Sequence, residues 1–269
     1  MILSEINIYP IKSLKGISLA NALVEERGLE FDRRWLLVDE NNQFMTQREF
    51  PKMALIEVKV NGESLTVSAN DKNLEIRFDA VVEKTASAKI WSSRVKSNVY
   101  EDNINQWFSD FLGTNCKLVV MPGTSKRAVE PYYAVRKYKD IVSFADAYPF
   151  LLLGENSLND LNEKLENPVL MNRFRPNLVV SGAVAFAEDN WKKIRIGETV
   201  FHVVKPCARC VLTTVEQETG EKDGKEPLKT LAKYRTKNGK VLFGQNLIAD
   251  KAGSFIKVGD SIEVIETKN

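Results

Sequence analysis

One histidine stands in 269 residues, and that scarcity removes whole classes of chemistry. Ser–His–Asp hydrolysis, multi-histidine metal sites and histidine proton relays would all have to run through His202. That residue lies in Val200-Phe201-His202-Val203-Val204, where it reads as a strand side chain. Cysteine is nearly as scarce: three, an odd number in a long chain, argue against a secreted disulfide framework. Neither sign of charge prevails. The 38 Lys and Arg against 36 Asp and Glu leave a net +2, so charge lends no support to a nucleic-acid or membrane-surface role. No stretch approaches the roughly 20 apolar residues of a membrane helix. Met1-Ile2-Leu3-Ser4-Glu5 lacks the basic start and long apolar core of a signal peptide. With 43% hydrophobic residues the chain can bury a sizeable core, and a soluble, cytoplasmic protein is expected.

The cysteines that are present carry information. Lys205-Pro206-Cys207-Ala208-Arg209-Cys210 holds two of them three residues apart, between β-branched runs at Val200 to Val204 and Val211 to Val215. The pattern predicts strands on both sides and a turn or bulge at the motif, with Pro206 fixing the backbone on entry. A thioredoxin-type pair opens a helix, and Val-Leu-Thr-Thr-Val does not look like one. Structural zinc needs four ligands, and only Cys116 and His202 could join Cys207 and Cys210. A thiolate near Lys205 and Arg209 suits one soft metal or thiol chemistry better.

Short strand signals fill the first hundred residues, from Ile2 to Tyr9 through Leu74 to Phe78, separated by turn chemistry at Gly16, Gly28, Asn41-Asn42, Asn61-Gly62 and Asn70-Asp71. Such spacing suggests a sheet or partly closed barrel. Asp102 to Leu112 reads as an amphipathic helix capped by Asp102 or Asn103, and Cys116 to Met121 as a strand. Pro122 to Asp140 is basic and polar, a connection between subdomains or a cationic loop over a charged ligand. Ser157 is placed to cap a helix running to about Leu165, and Glu226 to Arg235 is a short basic helix. The remaining second half is strand-rich, through Ser261 to Glu266.

Several cationic segments could grip an anion. Lys12-Ser13-Leu14-Lys15-Gly16 resembles half a phosphate loop but lacks the upstream glycine and the following helix. Asp32-Arg33-Arg34-Trp35 should put one guanidinium toward solvent and bury the other beside an acid such as Asp32. In Arg173-Phe174-Arg175-Pro176, the proline should hold Arg175 extended and turn both arginines to one side. Asp146 is an isolated carboxylate ahead of an apolar run, and Gly244 permits a bulge.

Read together, these residues resemble the MOSC superfamily of molybdenum-cofactor proteins, and within it the amidoxime-reducing type. The resemblance rests on Tyr9-Pro10-Ile11-Lys12-Ser13-x-x-Gly16, Asp32-Arg33-x-Trp35-Leu36-Leu37-Val38, Asp146-x-x-Pro149-Phe150, Phe174-Arg175-Pro176-Asn177, Cys207-x-Arg209-Cys210-x-x-Thr213-Thr214-Val215, Glu226-Pro227-Leu228 and Phe243-Gly244-Gln245. It implies an α+β, predominantly β fold. An N-terminal β-barrel-like domain would span 1–98, and a MOSC β-barrel-like domain with a few short helices 99–269, with a linking helix and basic loop at 99–145. It implies that Cys210 ligates molybdenum and that Lys12, Ser13, Arg33 and Arg175 hold molybdopterin, largely at its phosphate. Arg173, Ala208, Arg209 and Thr214 complete the implied cofactor-binding set, although strand alternation would turn Arg209 away from Cys210. Asp146 matches a position beside the metal and is a catalytic candidate.

Two departures stand out. Family members often carry serine where this chain has Ala208. The bacterial reductase has a ferredoxin domain with four further cysteines, whereas this chain ends at Asn269 with none to spare. The implied activity is molybdenum-cofactor-dependent reduction of small N-hydroxylated compounds such as N-hydroxylated bases and amidoximes, a detoxification chemistry. Electrons would come from a separate ferredoxin, flavodoxin or flavoprotein reductase. The alternatives are a non-catalytic carrier of the cofactor or of sulfur, and a zinc-stabilised β protein.

Overall fold

The largest sheet draws its strands from both ends of the chain. In the computed structural model, which describes residues 1–222 and 224–268, the main path of this nine-stranded sheet starts with Ile262–Thr267, Trp191–Ile196, Thr199–Ala208 and Lys240–Ala249. It continues through Phe150–Gly154, Leu178–Ser181, Ile2–Ile8 and Ile17–Leu19. The N-terminal strand therefore pairs antiparallel with Leu178–Ser181 rather than only with its sequence neighbours. Burial explains the placement. Leu3, Ile6 and Ile8, brought to one face by a bulge between Leu3 and Glu5, enter a core with Leu152, Leu178, Ile194, Phe201 and Leu247, all of them essentially solvent-free.

A second sheet of four strands orders Trp35–Val38, Lys117–Val120, Ser93–Tyr100 and Val81–Ile90. A three-stranded meander, Glu57–Asn61, Ser64–Ala69 and Lys72–Arg77, turns at Asn61-Gly62 and at Asn70-Asp71, where Gly62, Asn70 and Asp71 take positive φ. A third small sheet joins Phe255–Lys257 to Asn21–Glu25 and Gly28–Leu29. The fold is predominantly β with barrel-like domains, and among the described residues no sheet closes on itself.

Three local expectations fail, each for an identifiable reason. The helix Asp102–Leu112 buries Ile104 and Phe108 as its pattern predicts, but its N-cap is Glu101 and no side chain caps it. The helix Glu155–Asn162 begins after Gly154, with Ser157 inside it. There the Ser157 hydroxyl donates to Glu188 Oε1 at 2.8 Å and accepts from the Phe186 N–H at 2.8 Å, so a buried carboxyl has recruited the expected cap. Val211–Thr214 is a 3-10 turn rather than a strand. The Thr213 and Thr214 hydroxyls donate back to the carbonyls of Cys210 and Val211, closing a turn that β-branched composition alone does not announce.

Candidate functional site

The Cys-x-x-Cys segment leaves the large sheet at a break in pairing. Thr199–Ala208 runs antiparallel to Lys240–Ala249, and its register slips between Pro206 and Ala208, which pair with Gln245 and Leu242. Gly244 sits at that slip with φ +79, and a Cβ there would lie 2.8 Å from the Leu152 carbonyl and 3.2 Å from Arg209 Nη2. The backbone thus closes up where only glycine fits, and the extra residue of the bulge lies on this Lys240–Ala249 strand, where Phe243 and Gly244 oppose Cys207 alone. Cys207 is half-buried and Cys210 exposed, and both line a cleft of about 810 Å³, including space open to solvent.

Cations converge on this cleft from five separate segments: Lys12, Arg33, Arg48, Arg173 with Arg175, and Arg209. Arg33 donates to Asp32 at 2.6 Å, to Asn177 Oδ1 at 3.0 Å and to the Arg175 carbonyl at 3.2 Å. Arg33 and Arg175 both stack on the Tyr9 ring, 4.4 and 4.1 Å from its centroid. Burial lowers the Arg175 guanidinium to about 10, and the same desolvation pushes the Tyr9 hydroxyl up to about 12. Neighbour Arg34 does not face solvent as alternation predicts. It is buried and ion-paired with Glu25, leaving Asp32 to Arg33.

Three guanidinium groups on the cleft lining have unused hydrogen-bonding capacity. Arg48 Nε, Arg173 Nη1 and Arg209 Nη2 are buried and lack a partner among the described residues. Other atoms of these groups are committed: Arg173 pairs with Glu216 at 2.7 Å, and Arg209 donates to the Phe243 and Phe174 carbonyls at 2.7 and 2.9 Å. An unpaired buried donor costs about 1–3 kcal/mol, and charged groups cost more. A cleft that leaves several such donors unpaired suits a ligand rich in anionic acceptor oxygens, such as a phosphate ester.

Asp146 stands at the mouth with its side chain 54% exposed. Lys12 Nζ lies 2.6 Å from its Oδ1, Arg48 3.4 Å from its Oδ2, and the Trp91 indole N–H donates to Oδ1 at 3.3 Å. Desolvation pulls the carboxyl up, but Lys12 and Arg48 outweigh it and hold Asp146 well below the usual carboxylate range. Burial brings Lys12 down to about 8, with Asp146 opposing the fall. Arg48 also lies beside Cys210; desolvation opposes its charge, but Asp146 and Cys210 raise its pKa. Desolvation raises the thiol of Cys207 despite the nearby Arg209. Neither Arg48 nor Trp91 is recognisable from motif reading. The Arg48 guanidinium is 4.7 Å from the Trp91 ring, whose residue is half exposed.

Backbone strain gathers at the same place. Of the seven residues other than Asn, Asp and Gly with positive φ, four surround the cleft: Ser13 at 68°, Arg33 at 51°, Trp91 at 52° and Arg175 at 54°. Left-handed geometry at such residues costs about 1–3 kcal/mol each and persists where tertiary contacts dictate it. Arg175 is therefore not extended, despite Pro176, and it follows a 3-10 turn at Met171–Arg173. Phe174 points away from both arginines, its ring buried with Leu153, Leu161 and Phe243, while its carbonyl reaches Arg209.

Most of the residues singled out in the sequence meet here. Lys12, Ser13, Arg33, Asp146, Arg173, Arg175, Ala208, Arg209 and Cys210 all line the one cleft. Thr214 does not: it is buried with its hydroxyl on Val211, and Thr213 takes its place on the wall because the 3-10 turn rotates the pair. Arg209 is turned into the cleft by the bulge, against strand alternation. The four residues of the zinc alternative are dispersed. Cys116 is buried against Ser109 and His202 pairs with Asp250 at 3.0 Å. Among the described residues no three His, Cys, Asp or Glu side chains are arranged to hold a metal ion by themselves.

Residues 1–115 match the MOSC N-terminal beta barrel domain, and residues 139–263 match the MOSC domain. The chain belongs to the MOSC family. Among MOSC relatives, mitochondrial amidoxime-reducing component 1 from mouse is 37% identical over 96% of this chain and 80% of its own length. The human protein of that name is 34% identical over 96% of this chain and 81% of its own. A rice molybdenum cofactor sulfurase is 33% identical over 90% of this chain, which spans 32% of that longer protein. Among the described residues of this MOSC protein, no helix is long and apolar enough to cross a membrane.

Proposed function

We propose that this protein is a molybdenum-cofactor-dependent reductase that removes oxygen from small N-hydroxylated compounds, using electrons from a separate protein. One observation carries the reading: an exposed thiol, Cys210, opens onto a cleft lined by buried arginines with unfilled donors. The mitochondrial amidoxime-reducing relatives, matched over most of their length, support it. The bound cofactor supplies two-electron oxygen-transfer chemistry that no side chain here provides.

The protein's contribution divides between holding and positioning. Cys210 would ligate the metal as a thiolate. Lys12, Ser13, Arg33 and Arg175 would hold the cofactor at its phosphate, and Arg173 and Arg209 would turn their unpaired nitrogens to its acceptor oxygens. Ala208 offers only backbone. Arg48, between Asp146 and Cys210, neutralises charge at the mouth. Asp146, kept ionised by Lys12 and Arg48, would accept a hydrogen bond from the substrate and orient its N–OH group. Reduction of N–OH to N–H and water consumes two electrons and two protons, and the Lys12 ammonium, held beside Asp146, is placed to pass protons in. A cytoplasmic setting, where thiols stay reduced, suits this assignment.

Purification from cells that make the cofactor should yield stoichiometric molybdenum, and chemically reduced viologen should then drive conversion of benzamidoxime to benzamidine. Zinc in place of molybdenum would sink the reading. The likeness to a molybdenum cofactor sulfurase favours one second reading, a cofactor-binding or sulfur-carrying protein without turnover. That protein would bind molybdenum yet leave benzamidoxime untouched.

A further inference from the structure

One exposed segment combines aromatic surface with unpaired positive charge beside the cleft. Tyr132 is 82% exposed, Tyr138 71% and Val135 37%, all within seven consecutive residues. Lys126, Lys137 and Lys139 surround them, are exposed, and enter no ion pair among the described residues. The other charges of the segment are committed. Arg127 is buried with its guanidinium on the carbonyls of Ser143 and Asp146, Arg136 pairs with Asp140 at 2.8 Å, and Glu130 pairs with Lys205 at 3.3 Å.

The segment is also fastened to the cleft wall. Tyr133 packs edge-on against Tyr148, which lines the cleft, at 6.3 Å between centroids. Lys205, two residues ahead of Cys207, stands 4.0 Å above the Tyr133 ring. Arg127 grips the backbone carbonyl of Asp146 at 2.8 Å. A molecule seated on Tyr132, Val135 and Tyr138 therefore rests on a loop tied directly to Asp146. Exposed aromatics with a cationic rim are what a protein interface uses for contact area and electrostatic steering.

We propose that the segment 126–139 is the docking surface for an acidic one-electron carrier protein that supplies the reductase, an inference that rests on the function proposed above. Charge complementarity fixes the occupant's sign: three free ammonium groups fit a carboxylate-rich face. The aromatic residues supply the desolvated centre, and the lysines supply the steering rim. Each encounter delivers one electron from the reduced carrier, which leaves oxidised. Two encounters and two protons convert N–OH to N–H and water.

The test compares two electron sources in the holoenzyme. The probes are a reduced acidic [2Fe–2S] ferredoxin and a reduced flavodoxin, with reduced viologen as the small-molecule source. A triple variant, Lys126→Glu, Lys137→Glu and Lys139→Glu, and a separate Tyr132→Ser/Tyr138→Ser variant should keep the viologen-driven rate, which also reports intact folding. With the protein donor the charge variant should raise KM by about 10–100-fold at low ionic strength and lose most of its salt dependence. The tyrosine variant should weaken the donor about 5–30-fold at any salt. Equal protein-donor kinetics in wild type and variants would overturn the assignment. So would viologen-driven turnover that neither acidic carrier can support. Failure of viologen itself in the wild type strikes instead at the reductase reading. Calorimetric binding of oxidised ferredoxin, which needs no turnover, then decides the docking surface: binding lost in the charge variant supports it, and no binding by the wild type overturns it.

Discussion

Asp32 is fully buried and Asp146 is more than half exposed, yet both are held by cations of one cleft. Asp32 takes the Tyr9 N–H at 2.9 Å and Arg33 at 2.6 Å, and Arg33 goes on to Asn177 and the Arg175 backbone. Both Asp32 oxygens are thus taken up by the fold itself. Asp146 meets Lys12, Arg48 and Trp91, and its surroundings retain an unpaired Arg48 nitrogen and an exposed thiol. That network is open at one end. A buried ion pair here serves as scaffolding, tying Arg33 to Asn177 and the Arg175 backbone, while an accessible one nearby stays available to a ligand.

Four measurements press on this contrast. Cys210→Ser, at the open end, should abolish benzamidoxime reduction and molybdenum retention while changing unfolding free energy by no more than about 0.5 kcal/mol. Full retention of metal would remove Cys210 from the site. Paired substitutions of the acids should then separate scaffold from mouth. Asp32→Asn strands the Arg33 charge in the interior and should cost about 3–5 kcal/mol in a denaturant titration. Asp146→Asn should cost no more than about 1 kcal/mol, with turnover slowed about 10²–10⁴-fold. Equal stability losses for the two would erase the distinction.

Gly244→Ala should destabilise by about 1–3 kcal/mol, because φ +79 is strained for alanine and the Cβ meets the Leu152 carbonyl. It should also displace Arg209 and loosen the cofactor, read as molybdenum lost on dialysis. The smallest effect is a pH trend in the cofactor-free protein. The Lys12 ammonium falls from an ordinary 10.5 to about 8 in the fold. Between those values the unfolded chain binds more protons, so wild-type stability should rise from pH 8 to 10.5 relative to Lys12→Met. Parallel curves for the two proteins would show that Lys12 is not desolvated.

Motif reading found residues whose chemistry is unusual wherever they stand. A paired cysteine motif, Lys12-Ser13, and arginines beside aspartate or proline announce themselves by type; strand spacing points to a sheet or partly closed barrel in the first hundred residues, and the two-domain fold class comes with the family resemblance. Arg48 and Trp91 gave no such signal, because their meaning comes only from the approach of Asp146, nearly a hundred residues away in the chain in Arg48's case. Strand Val81–Ile90 is hidden for another reason: Glu83, Lys84, Thr85, Ser87 and Lys89 leave little apolar alternation on a strand that is mostly solvated, and its partner Ser93–Tyr100 mixes Arg94, Lys96 and Ser97 among its apolar residues. The left-handed residues at the cleft were equally hidden, since serine, arginine and tryptophan do not favour that conformation and only surrounding contacts impose it. The 3-10 turn at Val211–Thr214 sets Thr213 rather than Thr214 against the cleft, one position from the contact that the resemblance implies.

The position of Ile2–Ile8 between Ile17–Leu19 and Leu178–Ser181 has a consequence for biosynthesis. This strand cannot find its second neighbour until some 170 further residues have been made, so its apolar side waits uncovered through that interval. A nascent chain arrested before Leu178 should therefore be a strong substrate for chaperones that capture extended apolar segments, and release from them should coincide with emergence of Ser181.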